Sequence, residues 1–264
     1  MIPIFDSLSH PTLNSDWLLP KYAAGASINS LIRQMKESLI VKSLAVGMKG
    51  IGNYSQNGFV EMLKPYSDYL VPIAYFDFRE SYSKEEIASK MAYIKELGYK
   101  GIKLHPRFSD FLLTSDKLAY TINKATEMSL VSLLCTYFTH NSYTSLDNNL
   151  ETLSSLLMKV LGGRLILLHS GTTHLLDMID IGRSFKNVLL DMSFTMCKYE
   201  GSSIDLDLKF AFRTFDQRIC IGADWPEFSM KKLRERFEYL TEGLSLEKKE
   251  NIAYKNLDKY IFAT

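Results

Sequence analysis

The chain has 264 residues, of which 46% are hydrophobic, and its 31 lysines and arginines nearly balance 30 aspartates and glutamates. No basic run or basic-aromatic interleaving accompanies this balance, which argues against a nucleic-acid groove and favours a small-molecule site. No stretch reaches the ~18 apolar residues of a membrane span, and the N-terminus does not resemble a secretory signal, so we expect a cytoplasmic protein. Three scattered cysteines without C-x-x-C spacing predict no disulfide.

Short apolar runs alternate with longer amphipathic segments, which is typical of strand-helix units around a parallel sheet. The predicted strands are residues 3–6, 39–48, 69–77, 101–104, 130–137, 164–168, 187–191 and a stretch around 219–221. The predicted helices are residues 27–38, 56–66, 83–98, 115–128, 150–160, 173–185, 206–215, 230–241 and 246–261, and residues 195–203 are expected to form a loop over the site. Eight such units in a chain of this length predict an α/β fold, a closed (β/α)8 TIM barrel, as a single domain over residues 1–264.

Polar side chains fall at or just past the carboxyl ends of these predicted strands, and His10 follows the first strand closely. They are Asp6, His105, Cys135, His169, Asp191 and Asp224. TIM-barrel enzymes build their active sites at this end of the barrel. Imidazoles and carboxylates can together hold a divalent ion, or they can share general acid and base duties at neutral pH. We therefore place the site there, with Asp224 at the end of the last strand as its centre.

Five blocks carry these residues in order: 6–11 (DSLSHP), 98–106 (GYKGIKLHP), 167–171 (LLHSG), 187–193 (NVLLDMS) and 218–226 (RICIGADWP). Together with the tail at 251–257 (NIAYKNL), they resemble the successive blocks of the amidohydrolase superfamily. The resemblance is strongest to its amidohydrolase-related branch of barrel hydrolases and decarboxylases. It spans nearly the whole chain, so it implies a TIM-barrel enzyme of this type.

The resemblance also implies one metal ion that activates water, held by an H-x-H pair, a histidine after the fifth strand and the aspartate after the eighth. In this chain Asp224 matches the aspartate, His10 the second histidine of the pair, and His169 the sixth-strand imidazole that steers the water. The first histidine of the pair is replaced by Leu8, which cannot bind a metal, and the fifth-strand position falls on or near Cys135. His10, Cys135 and Asp224 are the candidate metal ligands, with zinc as the expected ion because thiolate is a good zinc ligand.

The alternative is a site without metal, in which Asp224 is the general base toward water. Asp224 and His169 are then the catalytic residues, while Lys103, His105, Arg107 and Trp225 are the candidate substrate-binding residues. Lys103 leaves further possibilities open: a Schiff base, a carboxylated metal bridge, or a buried lysine paired with Asp191.

The function that we expect is hydrolysis of a C–N or C–O bond (amide, ester or lactone), or decarboxylation, of a small anionic substrate. The substitutions at Leu8 and Cys135 support the alternative of a catalytically inactive barrel that acts as a binding or assembly protein. No nucleic-acid or membrane partner is expected, and a homodimer is left open.

Overall fold

The computed structural model describes residues 1–18, 25–138, 148–160 and 162–262. Within these ranges, eight strands pair in chain order, and all the pairs are parallel. The strands are β1 Ile4–Ser9, β2 Ile40–Val46, β3 Leu70–Tyr75, β4 Gly101–Leu104, β5 Val131–Cys135, β6 Leu165–Leu168, β7 Val188–Asp191 and β8 Ile219–Cys220. The helices are α1 Ile28–Glu37, α2 Gln56–Leu63, α3 Lys84–Glu96, α4 Pro106–Ser109, α5 Asp116–Glu127, α6 Leu150–Lys159, α7 Leu175–Ser184, α8 Thr195–Lys198, α9 Ile204–Thr214, α10 Met230–Leu240, α11 Leu246–Glu250 and α12 Asn256–Phe262.

The sheet closes between its first and last strands through backbone hydrogen bonds beyond the short β8. The amide of Ser7 donates to the carbonyl of Ile221 at 2.9 Å, and the amide of His10 donates to the carbonyl of Trp225 at 2.8 Å. Gly222 permits this approach, because a Cβ atom there would lie 2.5 Å from Ser7 Oγ and 2.9 Å from the backbone nitrogen of Leu8. The predicted single-domain TIM barrel is confirmed.

Side chains pack in two layers, because successive residues of a barrel strand alternate between its interior and the surrounding helices. The inner layer contains Phe5, Leu8, Ile73, Leu133 and Ile166. A larger outer layer joins the opposite faces of the strands to the helices. Leu8 is fully buried in the inner layer, which explains why an apolar residue is tolerated there.

Local sequence signals set several helix boundaries. The Ser83 hydroxyl and the Glu86 carboxylate form a capping box that begins α3. The predicted helix 246–261 is instead two α-helices separated by a π-helical segment, Asn251–Lys255. Residues 195–203 are not simply the predicted loop, since they contain α8, whose Met196 is fully buried. Among the described residues, no helix is long and apolar enough to cross a membrane.

Candidate active site

A cavity of about 220 Å³ lies at the carboxyl ends of the strands, where the sequence predicts the site. Aromatic rings of Trp17, Phe108, Tyr137 and Phe194 form part of its wall. Its polar lining includes six of the residues singled out from the sequence. They are His10, Lys103, His105, Arg107, His169 and Asp224. The fold therefore brings together side chains from widely separated parts of the chain.

Asp224 enters this cavity from a loop held against the first strand. The amide of the preceding residue, Ala223, donates to Asp6 Oδ1 at 2.7 Å, and Asp224 itself has a left-handed backbone with φ of 54°. Burial opposes ionisation of Asp224, but the positive charges of the nearby His169 and Lys103 hold its pKa below the usual range. Asp224 is therefore a carboxylate at neutral pH.

The orientation of His10 is fixed by a backbone carbonyl. Its Nδ1 lies 2.8 Å from the oxygen of Val46, so Nδ1 carries the hydrogen and donates it, and the neutral ring has its lone pair on Nε2. Lys103 Nζ lies 3.2 Å from that Nε2 atom, and Asp224 Oδ1 lies 3.4 Å from it. Burial, followed by the charge of Lys103, lowers the pKa of His10 to about 4. His10 is therefore a neutral hydrogen-bond acceptor for Lys103.

Lys103 projects from β4 and is 2% exposed. Burial lowers its pKa, and the nearby Asp224 and Cys135 partly offset this effect. The possible pairing with Asp191 is not its main contact, because the Asp191 carboxylate instead accepts hydrogen bonds from Ser7, from the Ser193 hydroxyl and from the backbone amide of His169. The closest polar partner of the Lys103 amine that the described structure gives is His10.

His169 follows β6 in a turn of unusual backbone conformation. His169, Ser170 and Thr172 all have positive φ angles, of 66°, 42° and 59°. The His169 amide donates to Asp191 Oδ2 at 3.1 Å, and its Nδ1 lies 3.2 Å from the Ser193 carbonyl oxygen, which leaves Nε2 for the cavity side. Burial would lower the pKa of His169, but interactions with Cys135 and Asp224 raise it overall. The surroundings of His169 thus favour its protonated form, whereas those of Asp224 favour its ionised form.

Cys135 ends β5 and is 3% exposed. Arg107 Nη2 lies 4.0 Å from its Sγ, and the guanidinium stacks over the Tyr137 ring with 4.4 Å between the guanidinium carbon and the ring centroid. Burial raises the pKa of Cys135, but the imidazoles of His105 and His169 lower it well below its ordinary value. Two buried nitrogens beside the thiol, His105 Nδ1 and Arg107 Nε, have no hydrogen-bond partner among the described residues.

The donor set does not fit the zinc site that the resemblance implies. In the part of the chain that the structure describes, no three His, Cys, Asp or Glu side chains form a group that could hold a metal ion. His10 and Asp224 lie together, but the Nε2 lone pair that would bind the ion points at the amine of Lys103. Cys135 interacts with His105 and His169 instead.

Trp225 does not take the place expected for it in the cavity wall. It is 1% exposed and packs in the outer hydrophobic layer. Trp17 fills the role instead. Its ring stacks on His10 with 5.0 Å between centroids, and its Nε1 donates to Glu227 Oε1 at 2.7 Å. Trp17 follows the first strand, and loops after barrel strands line the site, so this signal was available in the sequence.

Comparisons with known proteins support the fold. No family model matches the chain, and no curated protein is significantly similar to it in sequence. An uncharacterised TIM-barrel protein from Bordetella bronchiseptica superimposes with a TM-score of 0.80 over 98% of each chain, at 16% identity. A putative amidohydrolase from Staphylococcus aureus does so with 0.67 over 98% of this chain and 99% of its own, at 17% identity. The 5-carboxyvanillate decarboxylase of Sphingomonas paucimobilis gives 0.67 over 99% of both chains, at 9% identity.

Proposed function

We propose that this protein is an enzyme of the amidohydrolase-related type that hydrolyses an ester, lactone or amide bond in a small anionic substrate. One observation carries the proposal: a carboxylate, Asp224, and a histidine with a raised pKa, His169, line the same buried cavity. Two groups whose surroundings drive their protonation states apart are the usual arrangement of a general base and a general acid. The likeness to a putative amidohydrolase agrees with this assignment.

The chemical step follows from those protonation states. Asp224 takes a proton from a water molecule as the water oxygen attacks the substrate carbonyl carbon. The C–O or C–N bond then breaks, and His169 gives its proton to the leaving oxygen or nitrogen. The products are a carboxylic acid and an alcohol or amine, and the proton on Asp224 passes to His169 through solvent, which restores both groups for the next cycle.

The substrate is anionic because of the cations that face it. Lys103 and Arg107 both line the cavity, and Arg107 Nε is a buried donor without a partner among the described residues. A buried donor left unpaired costs free energy that a bound carboxylate would recover. A carboxylate beside the scissile bond would place the carbonyl between these cations and Asp224.

Decarboxylation is the second candidate, and the aromatic wall favours it. Trp17, Phe108, Tyr137 and Phe194 would enclose an aromatic acid, and one structural neighbour is a decarboxylase of 5-carboxyvanillate. In that reaction His169 would protonate the ring carbon as the C–C bond to the carboxylate breaks and carbon dioxide leaves. Both reactions use the same proton donor, so the product distinguishes them.

A substrate panel tests the proposal directly. Carboxylate-bearing lactones, esters and amides, together with hydroxylated benzoates, are incubated with the wild type, Asp224→Asn, His169→Asn and the surface control Asp68→Asn. We expect hydrolysis of at least one compound by the wild type and the control, and a loss of about 10²–10⁴-fold in each site variant. Wild-type activity in folded Asp224→Asn would remove the proposal, and no turnover by the wild type would favour the inactive binding barrel.

A further inference from the structure

We infer that the amino group of Lys103 occupies the place of a divalent metal ion in this barrel, and that Lys103 excludes such an ion from the His10–Asp224 pair. The inference concerns the same strand ends as the proposed function, but it does not depend on which bond is cleaved. It assigns Lys103 as a positioning residue for the base, in addition to its contact with the cavity.

The first observation that supports this inference is the direction of the His10 lone pair. Because Nδ1 donates to the Val46 carbonyl, Nε2 is the nitrogen left to bind a metal. Lys103 Nζ lies 3.2 Å from that nitrogen. A zinc or cobalt ion would have to lie about 2 Å from Nε2, and on the line toward Nζ it would overlap the amino group. The overlap exists whether the amine carries three protons or two.

The second observation is the set of charged groups around Lys103. Asp224 and Cys135 are the groups that most favour the charged form of its amine, and Arg107 is the opposing cation. A carboxylate and a thiolate are the kinds of group that would neutralise a metal ion, and here they offset the cost of burying a lysine that is 2% exposed. The Lys103 ammonium thus neutralises these groups with one positive charge, where a divalent metal ion would supply two.

Leu8 provides a third, independent observation. It takes the place of a first histidine two residues before His10, and it is fully buried in the inner hydrophobic layer. Leu8 therefore removes one potential metal ligand, and Lys103 places a cation beside another. Both features disfavour a bound metal ion. Lys103 favours the ionised form of Asp224 and donates to His10, whose tautomer the Val46 carbonyl fixes, without providing a Lewis acid, and Asp224 remains the group that takes the proton from water.

Cobalt binding tests the inference without any measurement of activity. Purified and dialysed proteins are titrated with Co²⁺, followed by calorimetry and by the visible absorption of the bound ion. Lys103→Ala and Lys103→Ser open the space beside Nε2, Lys103→Arg keeps a cation there, and Lys100→Ala removes an exposed lysine from the start of the same strand region.

We expect Lys103→Ala and Lys103→Ser to bind Co²⁺ at least tenfold more tightly than the wild type, Lys103→Arg and Lys100→Ala. Adding Asp224→Asn to Lys103→Ala should abolish the gain, which assigns the ion to this pair. No gain in a folded small-residue variant would overturn the inference. Broadening of the His10 resonances of the wild type by stoichiometric Co²⁺ would overturn it too, and that measurement needs no variant to fold. Loss of hydrolysis alone would bear on the proposed function and leave the inference standing.

Discussion

Three residues of the candidate site adopt a backbone conformation that side chains other than glycine rarely take. The φ angles of Asp224, His169 and Phe194 are 54°, 66° and 61°. Such conformations cost about 1–3 kcal/mol each and persist where the surrounding structure fixes them, commonly at active sites. Here hydrogen bonds to two buried aspartates, Asp6 and Asp191, hold Ala223 and His169. The carboxylate and the imidazole are therefore aimed before any substrate arrives.

The opposite pKa shifts of two histidines predict the pH profile of hydrolysis. The pKa of His10 is lowered to about 4, so activity should rise as the pH passes that value and His10 becomes the neutral acceptor for Lys103. The pKa of His169 is raised, so its acidic form persists above the ordinary value of about 6.5 and activity should fall only at higher pH. Measuring kcat/KM from pH 3.5 to 9.5 tests both limbs.

The variant His169→Gln should lose the alkaline limb together with most of its rate, while circular dichroism at each pH separates titration from unfolding. An alkaline limb that stays unchanged in this variant would assign that limb to another group. Loss of the acid limb in His10→Gln would support the assignment of the lower pKa to His10.

At the scale of elements, the seam between β1 and the segment after β8 carries both His10 and Asp224. Gly222 lies in this seam, where an added Cβ would meet Ser7 Oγ, the Leu8 nitrogen and Asp6 Oδ1 at 2.5, 2.9 and 3.1 Å. We expect Gly222→Ala to reduce the free energy of unfolding by about 1–3 kcal/mol and to lower activity by displacing Asp224. Urea unfolding of Gly162→Ala, where a Cβ would meet nothing within 4 Å, provides the matched control. Equal stability of the two variants would contradict this account of the seam.

A buried ion pair ties three helices of the outer layer together. Arg236 of α10 is 1% exposed, pairs with Asp205 of α9, and donates from Nε to the carbonyl of Met196 in α8 at 2.6 Å. Arg236→Met leaves the buried carboxylate without its cation, and we expect a loss of about 3 kcal/mol in unfolding free energy. Arg236→Met with Asp205→Leu should lose less than the single variant, and denaturant titration measures both.

The exposed pair of Arg33 and Glu37 is the control for that comparison. Its side chains are 64% and 59% exposed at a separation of 3.5 Å. Arg33→Met should therefore change stability by no more than about 0.5 kcal/mol. If the double variant Arg236→Met with Asp205→Leu is less stable than Arg236→Met alone, the loss does not come from burying an unpaired carboxylate.

The strand pattern could be predicted because apolar runs such as 165–168 have only one way to be buried in a parallel barrel. The same strand pattern predicts that His10, His169 and Asp224 lie at one end of the barrel. The contact between Lys103 and His10 could not be predicted, because it joins β4 to the loop after β1 and depends on where a flexible side chain ends. Trp225 was misplaced for a related reason, since the left-handed turn at Asp224 sets its direction.

At the scale of the whole molecule, stability depends on pH through carboxyl groups that are buried inside the barrel. Asp6 is fully buried on β1, where Ser43 of β2 and the amide of Ala223 donate to its oxygens. Burial, which outweighs these hydrogen bonds, raises its pKa from 3.8 to about 8. Asp191 has a pKa raised in the same direction, also by burial. Asp6 thus takes up a proton when the chain folds at neutral pH.

Asp6 therefore makes global stability fall as the pH increases. Between pH 3.8 and about 8 the carboxyl group is protonated in the folded chain and ionised in the unfolded chain. The free energy of unfolding should decrease by about 1.4 kcal/mol per pH unit for this one proton. Asp6→Asn keeps an oxygen for the Ala223 amide and has no proton to bind, so its stability should depend less on pH. Urea unfolding at pH 5, 6, 7 and 8 measures the slope, with the exposed Asp68→Asn as control. Equal slopes in wild type and Asp6→Asn would show that Asp6 is ionised in the folded barrel, and the hydrogen bonds rather than burial would then govern its charge.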